Sequence, residues 1–271
     1  LMVGVPVALT LATTGFVFGV LGFGTGLFNL LPARVFGVVA NYQWLAIPLF
    51  VFMGVMLEKS RLADDLLDVV GHLAGGLRGG MALGIIAVGV LMGATTGIVG
   101  ATVITLGLLT LPTLLKRGYD KGIACGAICA SGTLGQIIPP SLILILLADI
   151  MQLSVGTLFA AAVMPGMMLA AIYCVYIVVM GMLRPDSMPP IPAAERDALA
   201  RRDLWVRFVK VVVPPVLLVM AVLGSIIAGI AAPTEAASMG ALGAILVTAF
   251  AGRFSWQVLR EAAQSTTKIT A

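Results

Sequence analysis

Charged residues are scarce in this sequence. Only 10% of its 271 residues are Asp, Glu, Lys or Arg, whereas 60% are hydrophobic, a balance that soluble domains of this size do not show. The net charge is +4, but the basic residues are spread over short loops and do not form the stripe that nucleic-acid binding needs. We therefore expect an all-α polytopic membrane protein that has the lipid bilayer around it and no nucleic-acid partner.

Histidine and cysteine are nearly absent as well. The only histidine, His72, rules out the HExxH motif of metalloproteases and is not placed to serve Ser131 as a catalytic base. Cys125, Cys129 and Cys174 lie in apolar runs and give neither a disulfide framework nor a zinc pattern. A membrane enzyme such as an intramembrane protease is thus the weakest functional hypothesis, and we predict no enzymatic activity and no organic cofactor.

Long uncharged runs are abundant instead. A membrane span needs about 20 apolar residues to cross about 30 Å of hydrocarbon, which predicts spans over 1–21, 45–57 and 156–183 and two more within 211–252, divided at APTEAA. The segment EKSRLADDLLDVVGHLAGGLRGG has apolar residues at helical spacing and aspartates on the other side, which predicts a helix lying in the membrane interface. The segment RFSWQVLREAAQ predicts a second amphipathic helix. Because the chain starts inside an apolar run and stops within STTKITA, we interpret it as a fragment.

Basic residues also indicate the orientation of the chain. The loop 184–210 holds six of the sixteen basic residues, and such loops face the cytoplasm. Counting back two spans places the turn KRGYDK on the cytoplasmic side too.

The run 81–115 has 35 residues without a charge and is interrupted by GATTGIVGAT. One helix of that length would be about 52 Å long, whereas two complete spans and a turn need at least about 40 residues. A re-entrant hairpin fits better, with arms over 81–92 and 98–109 and a tip over 93–97. Irregular backbone near mid-membrane is tolerated only where it is buried in protein or lines a cavity, so we expect the tip to be functional.

A second irregularity lies at residues 131–141, SGTLGQIIPPS, inside the uncharged run 122–148. Pro139 and Pro140 have no N–H to donate to the carbonyls of Gly135 and Gln136, and residues that precede a proline favour extended backbone. The helix is therefore predicted to break here.

Three hydroxyls flank this break, those of Ser131, Thr133 and Ser141. Together with the freed carbonyls they would form an oxygen-rich pocket, which suits hard cations. The half-helix that begins near Ser141 would direct a partial positive charge at the gap and favour a carboxylate. Broken helices of this kind indicate the binding site of a secondary transporter. The alternative is a proline kink that only shapes packing.

Three segments together resemble the large membrane subunit of tripartite ATP-independent periplasmic (TRAP) transporters: GATTGIVGATVITLG, RGYDKGIACGAICASGTLGQIIPPSLILILLAD and APTEAASMGALGAI. The resemblance implies an elevator-type fold with two inverted repeats, each with an interfacial arm, a re-entrant hairpin and a broken helix. It implies sodium-coupled symport of organic acids, commonly C4-dicarboxylates, 2-oxoacids or sialic acid, across a bacterial or archaeal inner membrane. Its implied partners are a periplasmic substrate-binding protein and a small TRAP membrane subunit. A stand-alone ion-coupled organic-anion carrier remains the alternative.

The resemblance also divides the chain. Residues 1–80 would be scaffold spans and the interfacial arm, and 81–183 the transport region, made of hairpin 81–115, broken helix 122–148 and span 156–183. Residues 184–210 would be the cytoplasmic loop, and 211–271 the start of a truncated second repeat. Inverted repeats require an odd number of crossings between the cytoplasmic loop and the second arm, whereas the sequence holds two.

Site residues follow from the resemblance position by position. Those implied for sodium are Gly93, Ala94, Thr95, Thr96, Gly97, Ser131, Gly132, Thr133 and Gly135. Those implied for the substrate are Thr96, Gln136, Pro140 and Ser141. Many family members have a serine-rich tip where this chain has TGIVG, which suggests a subgroup that carries 2-oxoacids or other monocarboxylates.

Overall fold

The computed structural model describes residues 7–60, 62–96, 99–190 and 201–270. Within these ranges every regular element is a helix, which confirms the predicted all-α membrane fold. The chain divides into two compact units, Leu1–Tyr42 and Gln43–Ala271.

The first unit is an apolar helical pair with a sharp bend. It contains helix α1 (Val7–Phe23), the 3-10 turn Gly24–Gly26 and helix α2 (Leu27–Val39). The stretch Ala8–Val39 is long and apolar enough to cross a membrane. It is not one straight rod, because Gly24 takes a positive φ of 59° and the rings of Phe16 and Phe28 meet edge to face at 5.6 Å.

The second unit holds the other described helices. They are α3 (Ala46–Lys59), α4 (Leu62–Ala74), α5 (Gly80–Thr96), α6 (Val99–Lys116), α7 (Lys121–Leu134), α8 (Leu142–Ile150), α9 (Val155–Leu183), α10 (Arg201–Ile227), α11 (Pro233–Phe250) and α12 (Trp256–Thr270). Three stretches here can cross a membrane by length and composition: Val155–Leu183, Leu204–Ile227 and Pro233–Phe250. Helix α9 leaves large apolar side chains such as Met164 and Met182 exposed, which suits lipid surroundings.

Two apolar cores organise this unit. One is formed by α4 to α7 and the second half of α9, with Ile86 and Ile128 among its members. The other gathers α3, α8, α10, α11, α12 and the start of α9, around Met53, Ile145 and Phe159. Because α7 belongs to the first core and α8 to the second, the break between these helices carries the chain from one core to the other.

Helix ends and loops gather at two opposite faces of the unit. At one face Arg253, which follows α11, forms an ion pair with Asp65 of α4, Nη2 to Oδ2 at 3.0 Å. At the other face the Nε1 of Trp44 donates to Oδ2 of Asp149 at 3.1 Å, and a Cβ on Gly156 would lie 2.9 Å from the carbonyl oxygen of Ile226. Helix α9 runs from the Gly156 end to Leu183, so the turn at Arg184 lies at the face away from Gly156. The turn KRGYDK lies beside it, because the N–H of Asp120 donates to the carbonyl of Ser187; both turns are predicted from the sequence to be cytoplasmic.

The amphipathic helices α4 and α12 begin at this same face. Leu66 and Val69 bury the apolar side of α4, and Ala262 and Thr266 do so for α12. Between Pro190 and α12 the described part of the chain contains two crossings, α10 and α11, the number counted from the sequence. Inverted repeats would place the two amphipathic helices at opposite faces, and this needs a third span between them. Residues 201–250 are too few for a third span.

Two predicted boundaries differ from the structure. The hairpin tip was expected to be irregular over 93–97, but α5 stays helical to Thr96, because a glycine at position 93 allows a close helix contact without ending the helix. Gly97 lies outside the described residues.

The loop predicted over 184–210 ends earlier, since α10 starts at Arg201. The rings of Trp205 and Phe208 in this helix lie 5.5 Å apart. Residues 191–200 lie outside the described ranges.

Candidate functional site

The predicted helix break is present between α7 and α8. Asp120 is the N-cap residue of helix α7, and its carboxylate accepts the N–H of Ile123 at 3.1 Å. The helix ends at Leu134. Pro139 and Pro140 are buried, and α8 begins only after them. The missing proline N–H groups account for the gap.

Ser141 satisfies one of the carbonyls that the prolines free. Its buried hydroxyl donates to the carbonyl oxygen of Gln136 at 2.6 Å. In a continuous helix this oxygen would accept the N–H of residue 140, which proline lacks. Because the hydroxyl is used in this way, it makes no cap bond at the start of α8 although Ser141 is the N-cap residue. The first turn of α8 therefore directs its partial positive charge at the break.

Helix α5 crosses α7 and the break with almost no space between the backbones. A Cβ on Gly93 would lie 2.7 Å from the nitrogen of Gly135, and a Cβ on Gly135 would lie 2.8 Å from the carbonyl oxygen of Gly93. One turn earlier, a Cβ on Gly89 would lie 2.9 Å from the carbonyl carbon of Ser131. Only glycine allows two helices to approach so closely.

The other hairpin arm packs on α7 at Gly132. A Cβ there would lie 3.2 Å from the Cα of Val103 in α6. Both helices of the hairpin, α5 and α6, thus pack closely on the last turn of α7 at glycine positions. Gly89 and Val103 are not among the predicted site residues. Gly89 stands four residues before Gly93 and so shares its helix face, a spacing that could have identified it.

The predicted site residues do not all share one pocket. Gly93, Ser131, Gly132 and Gly135 meet where α5 and α6 hold α7, and Ser131 is fully buried with its hydroxyl donating to Ile128 at 2.9 Å.

Thr133 takes another direction. It is exposed, and its hydroxyl donates to the carbonyl of Ala130 at 2.8 Å.

The remaining predicted residues lie in the helix break and at the end of α5. Gln136 is half-buried, whereas Pro140 and Ser141 are buried. Ala94, Thr95 and Thr96 continue α5, but their side chains are outside what the structure describes.

Sodium is the ion that the resemblance implies. In the described part of the chain no three His, Cys, Asp or Glu side chains group together, so any cation here would rely on hydroxyl and carbonyl oxygens. The oxygens of Ser131, Thr133 and Ser141 each donate one hydrogen bond and keep lone pairs for a cation. This donor set suits a hard, singly charged ion, although Thr133 is exposed whereas Ser131 and Ser141 are buried.

Taken together, the described residues form a helical membrane protein in which a hairpin holds a broken helix, an arrangement typical of secondary transporters. Over residues 1–271 the sequence matches the family described as tripartite ATP-independent periplasmic transporter, DctM component. The chain belongs to this family, and it is a multi-pass protein of the inner membrane.

Individual relatives agree with this assignment. The chain is 33% identical over 224 residues to a C4-dicarboxylate TRAP transporter large permease protein of Pseudomonas aeruginosa, covering 82% of this chain and 50% of that protein. It is 30% identical over 251 residues to the ectoine TRAP transporter large permease protein of Halomonas elongata, covering 91% and 56%. A sialic acid TRAP permease of Vibrio cholerae is 26% identical over 249 residues, covering 91% and 56%. The chain thus spans about half the length of the curated relatives it matches. These relatives are transporter subunits, in agreement with the prediction that the chain is not an enzyme.

Proposed function

We propose that this chain takes part in the uptake of a small organic acid by a TRAP transporter and that the α7–α8 break forms part of the solute site. The observation that carries the proposal is the crossing of Gly93 and Gly135. It joins the hairpin to the break, so a movement of one must move the other. Irregular backbone inside a membrane protein is tolerated where it is buried in protein or lines a cavity, and we propose that this break does the second as well as the first.

The substrate proposed is a carboxylate or a similar small anion. The relatives are named for C4-dicarboxylate, ectoine and sialic acid, solutes that each carry a carboxylate. The uncapped first turn of α8 and the side chain of Gln136 offer N–H donors to such a group. The proposed substrate residues remain Thr96, Gln136, Pro140 and Ser141.

Sodium is proposed as the coupling ion. Its candidate ligands are oxygens of Gly93, Ala94, Thr95 and Thr96 at the end of α5, of Gly97, and of Ser131, Gly132, Thr133 and Gly135. Among them Thr133 is the most informative to test, because it is exposed and its removal leaves the glycine crossing intact.

The proposed partners are a periplasmic binding protein that delivers the acid and a small membrane subunit. The competing proposal is a stand-alone carrier that binds the acid directly. The two differ in one requirement, since only the first needs the soluble protein for uptake.

Uptake into proteoliposomes tests these proposals. The permease containing this chain is reconstituted with its small subunit, and a panel of radiolabelled organic acids is offered with or without an inward sodium gradient and with or without the binding protein. Uptake that needs both supports the tripartite proposal and identifies the acid. Uptake that needs sodium alone supports the stand-alone carrier, and uptake that needs neither rejects sodium coupling.

A threonine pair separates transport from packing. Thr133→Ala should abolish sodium-dependent uptake while leaving protein abundance unchanged, whereas Thr113→Ala, at an exposed threonine of α6, should alter neither. An equal loss of uptake and folded protein in Thr133→Ala would favour the alternative in which the break only shapes packing.

A further inference from the structure

A groove lies between α7 and α9, away from the glycine crossing. Its volume is about 620 Å³, within the range of about 300–1,000 Å³ in which ligands bind. Most of its wall is apolar, with Ile86, Ile123, Ala127, Ile172 and Met180 among the lining residues.

The charged residues of the groove are confined to one end. Asp120 and Arg184 line it there, next to Ser187. The loop after α9 keeps the start of α7 beside the end of α9, because the N–H of Asp120 donates to the carbonyl of Ser187 at 2.9 Å and the hydroxyl of Ser187 donates to the carbonyl of Arg184 at 2.6 Å. The groove therefore has an apolar length and an end that carries one positive and one negative side chain.

The dimensions of the groove match one leaflet of a bilayer. From Ile172 to Arg184 the chain advances twelve residues of helix, about 18 Å, and half of the hydrocarbon thickness is about 15 Å. The charged end would lie at the headgroup level when the apolar end is near mid-membrane. Tyr176 of the groove wall and Met182, near the charged end of the groove, are exposed side chains of α9 and would also face lipid.

We propose that this groove binds one phospholipid with an ethanolamine headgroup. The phosphate would pair with the guanidinium of Arg184, and the primary ammonium would donate to the carboxylate of Asp120. One acyl chain would fill the apolar length. Basic sites between membrane helices on the cytoplasmic side hold lipid headgroups in this way, and the adjacent acid favours a zwitterion over an anionic lipid. The site is independent of which solute the transporter carries.

Lipid retention in native mass spectrometry tests the proposal. The purified permease containing this chain is titrated with phosphatidylethanolamine, phosphatidylglycerol or phosphatidylcholine of identical acyl chains. We expect the ethanolamine lipid to be retained about tenfold better than the other two, as one charge-assisted hydrogen bond allows. Equal retention of all three lipids would overturn the proposal.

Headgroup variants assign the two contacts. Asp120→Asn, which can still cap α7, should remove the preference for ethanolamine, and Arg184→Gln should lower retention of all three lipids about tenfold. Lys116→Gln, an exposed charge of α6 outside the groove, is the matched control. A preference unchanged in Asp120→Asn would refute the headgroup assignment.

A glycine pair tests the groove itself. A Cβ on Gly126 meets no atom within 4 Å and lies in the groove wall, so Gly126→Leu should fill the groove and lower lipid retention. Gly224→Leu is the control, since Gly224 of α10 also has nothing within 4 Å. Retention in Gly126→Leu equal to that of the wild type would show that no lipid occupies the groove.

Discussion

Gly93 and Gly135 touch backbone to backbone, 42 positions apart in the chain, at the point where the hairpin crosses the helix break. No side chain separates them, and a Cβ on either residue would overlap the other. The contact fixes the end of α5 relative to the irregular segment 135–141. If this segment is the solute site, the hairpin is part of its wall.

The first prediction concerns this contact. Gly93→Ala and Gly135→Ala should each destabilise the protein by about 1–3 kcal/mol or more, because the added methyl group overpacks a backbone contact. Gly126→Ala, which meets nothing within 4 Å, should instead be neutral or stabilising by up to about 1 kcal/mol, since alanine favours helix. Thermal unfolding in detergent measures the difference, and similar midpoints for all three variants would contradict the observed crossing.

The second prediction concerns Ser141. Ser141→Ala should cost about 1–2 kcal/mol, because the partly buried carbonyl of Gln136 loses the hydroxyl donor that stands in for the N–H missing at Pro140. Ser225→Ala removes a comparable hydroxyl from the last turn of α10, where it donates to the carbonyl of Val222 at 2.8 Å, and should cost less, because no proline removes a backbone donor there. Denaturation of the two variants under identical conditions compares them, and an equal loss would mean that Ser141 does not support the break.

The third prediction concerns the faces of the membrane. Asp65→Cys combined with Arg253→Cys should form an efficient crosslink with a short bifunctional reagent, because the native side chains lie 3.0 Å apart. Cys125, Cys129 and Cys174 are first replaced by alanine to leave a single reactive pair. Failure of the crosslink, with each single variant still labelled from opposite sides of the membrane, would place α4 and α12 on different faces as inverted repeats require.

The ion pair itself should contribute little. Both side chains are more than one-third exposed, and exposed pairs contribute about 0–1 kcal/mol. Asp65→Asn is therefore expected to leave the unfolding midpoint nearly unchanged, and a large drop would indicate that this face is shielded from water.

Residues with strong local chemistry made much of this fold predictable from the sequence. Two adjacent prolines lack the backbone N–H donors that a helix needs, so the break after Leu134 was predictable from their positions in the sequence. APTEAA was likewise predicted to divide two spans, and Glu235 caps the second of them by accepting the N–H of Ala232 at 3.0 Å.

Features that depend on tertiary contact were not predictable. The tip over 93–97 was expected to be irregular, but the helix continues to Thr96 and Gly93 makes a close crossing with Gly135. The bond between Trp44 and Asp149 joins segments 105 residues apart, and no pattern in the sequence indicates it. Periodicity within one segment carries no information about which distant segment it will meet.

The most direct test of the account is the accessibility of Gln136 at the break. In the cysteine-free background, the rate at which maleimide labels the thiol introduced by Gln136→Cys is measured with and without sodium and the transported acid. Ile150→Cys, at an exposed position near the far end of α8, is the control. We predict that sodium and the acid together slow labelling at position 136 and leave position 150 unchanged. An unchanged rate at position 136, in a preparation that takes up the acid, would contradict the placement of the solute site at this break.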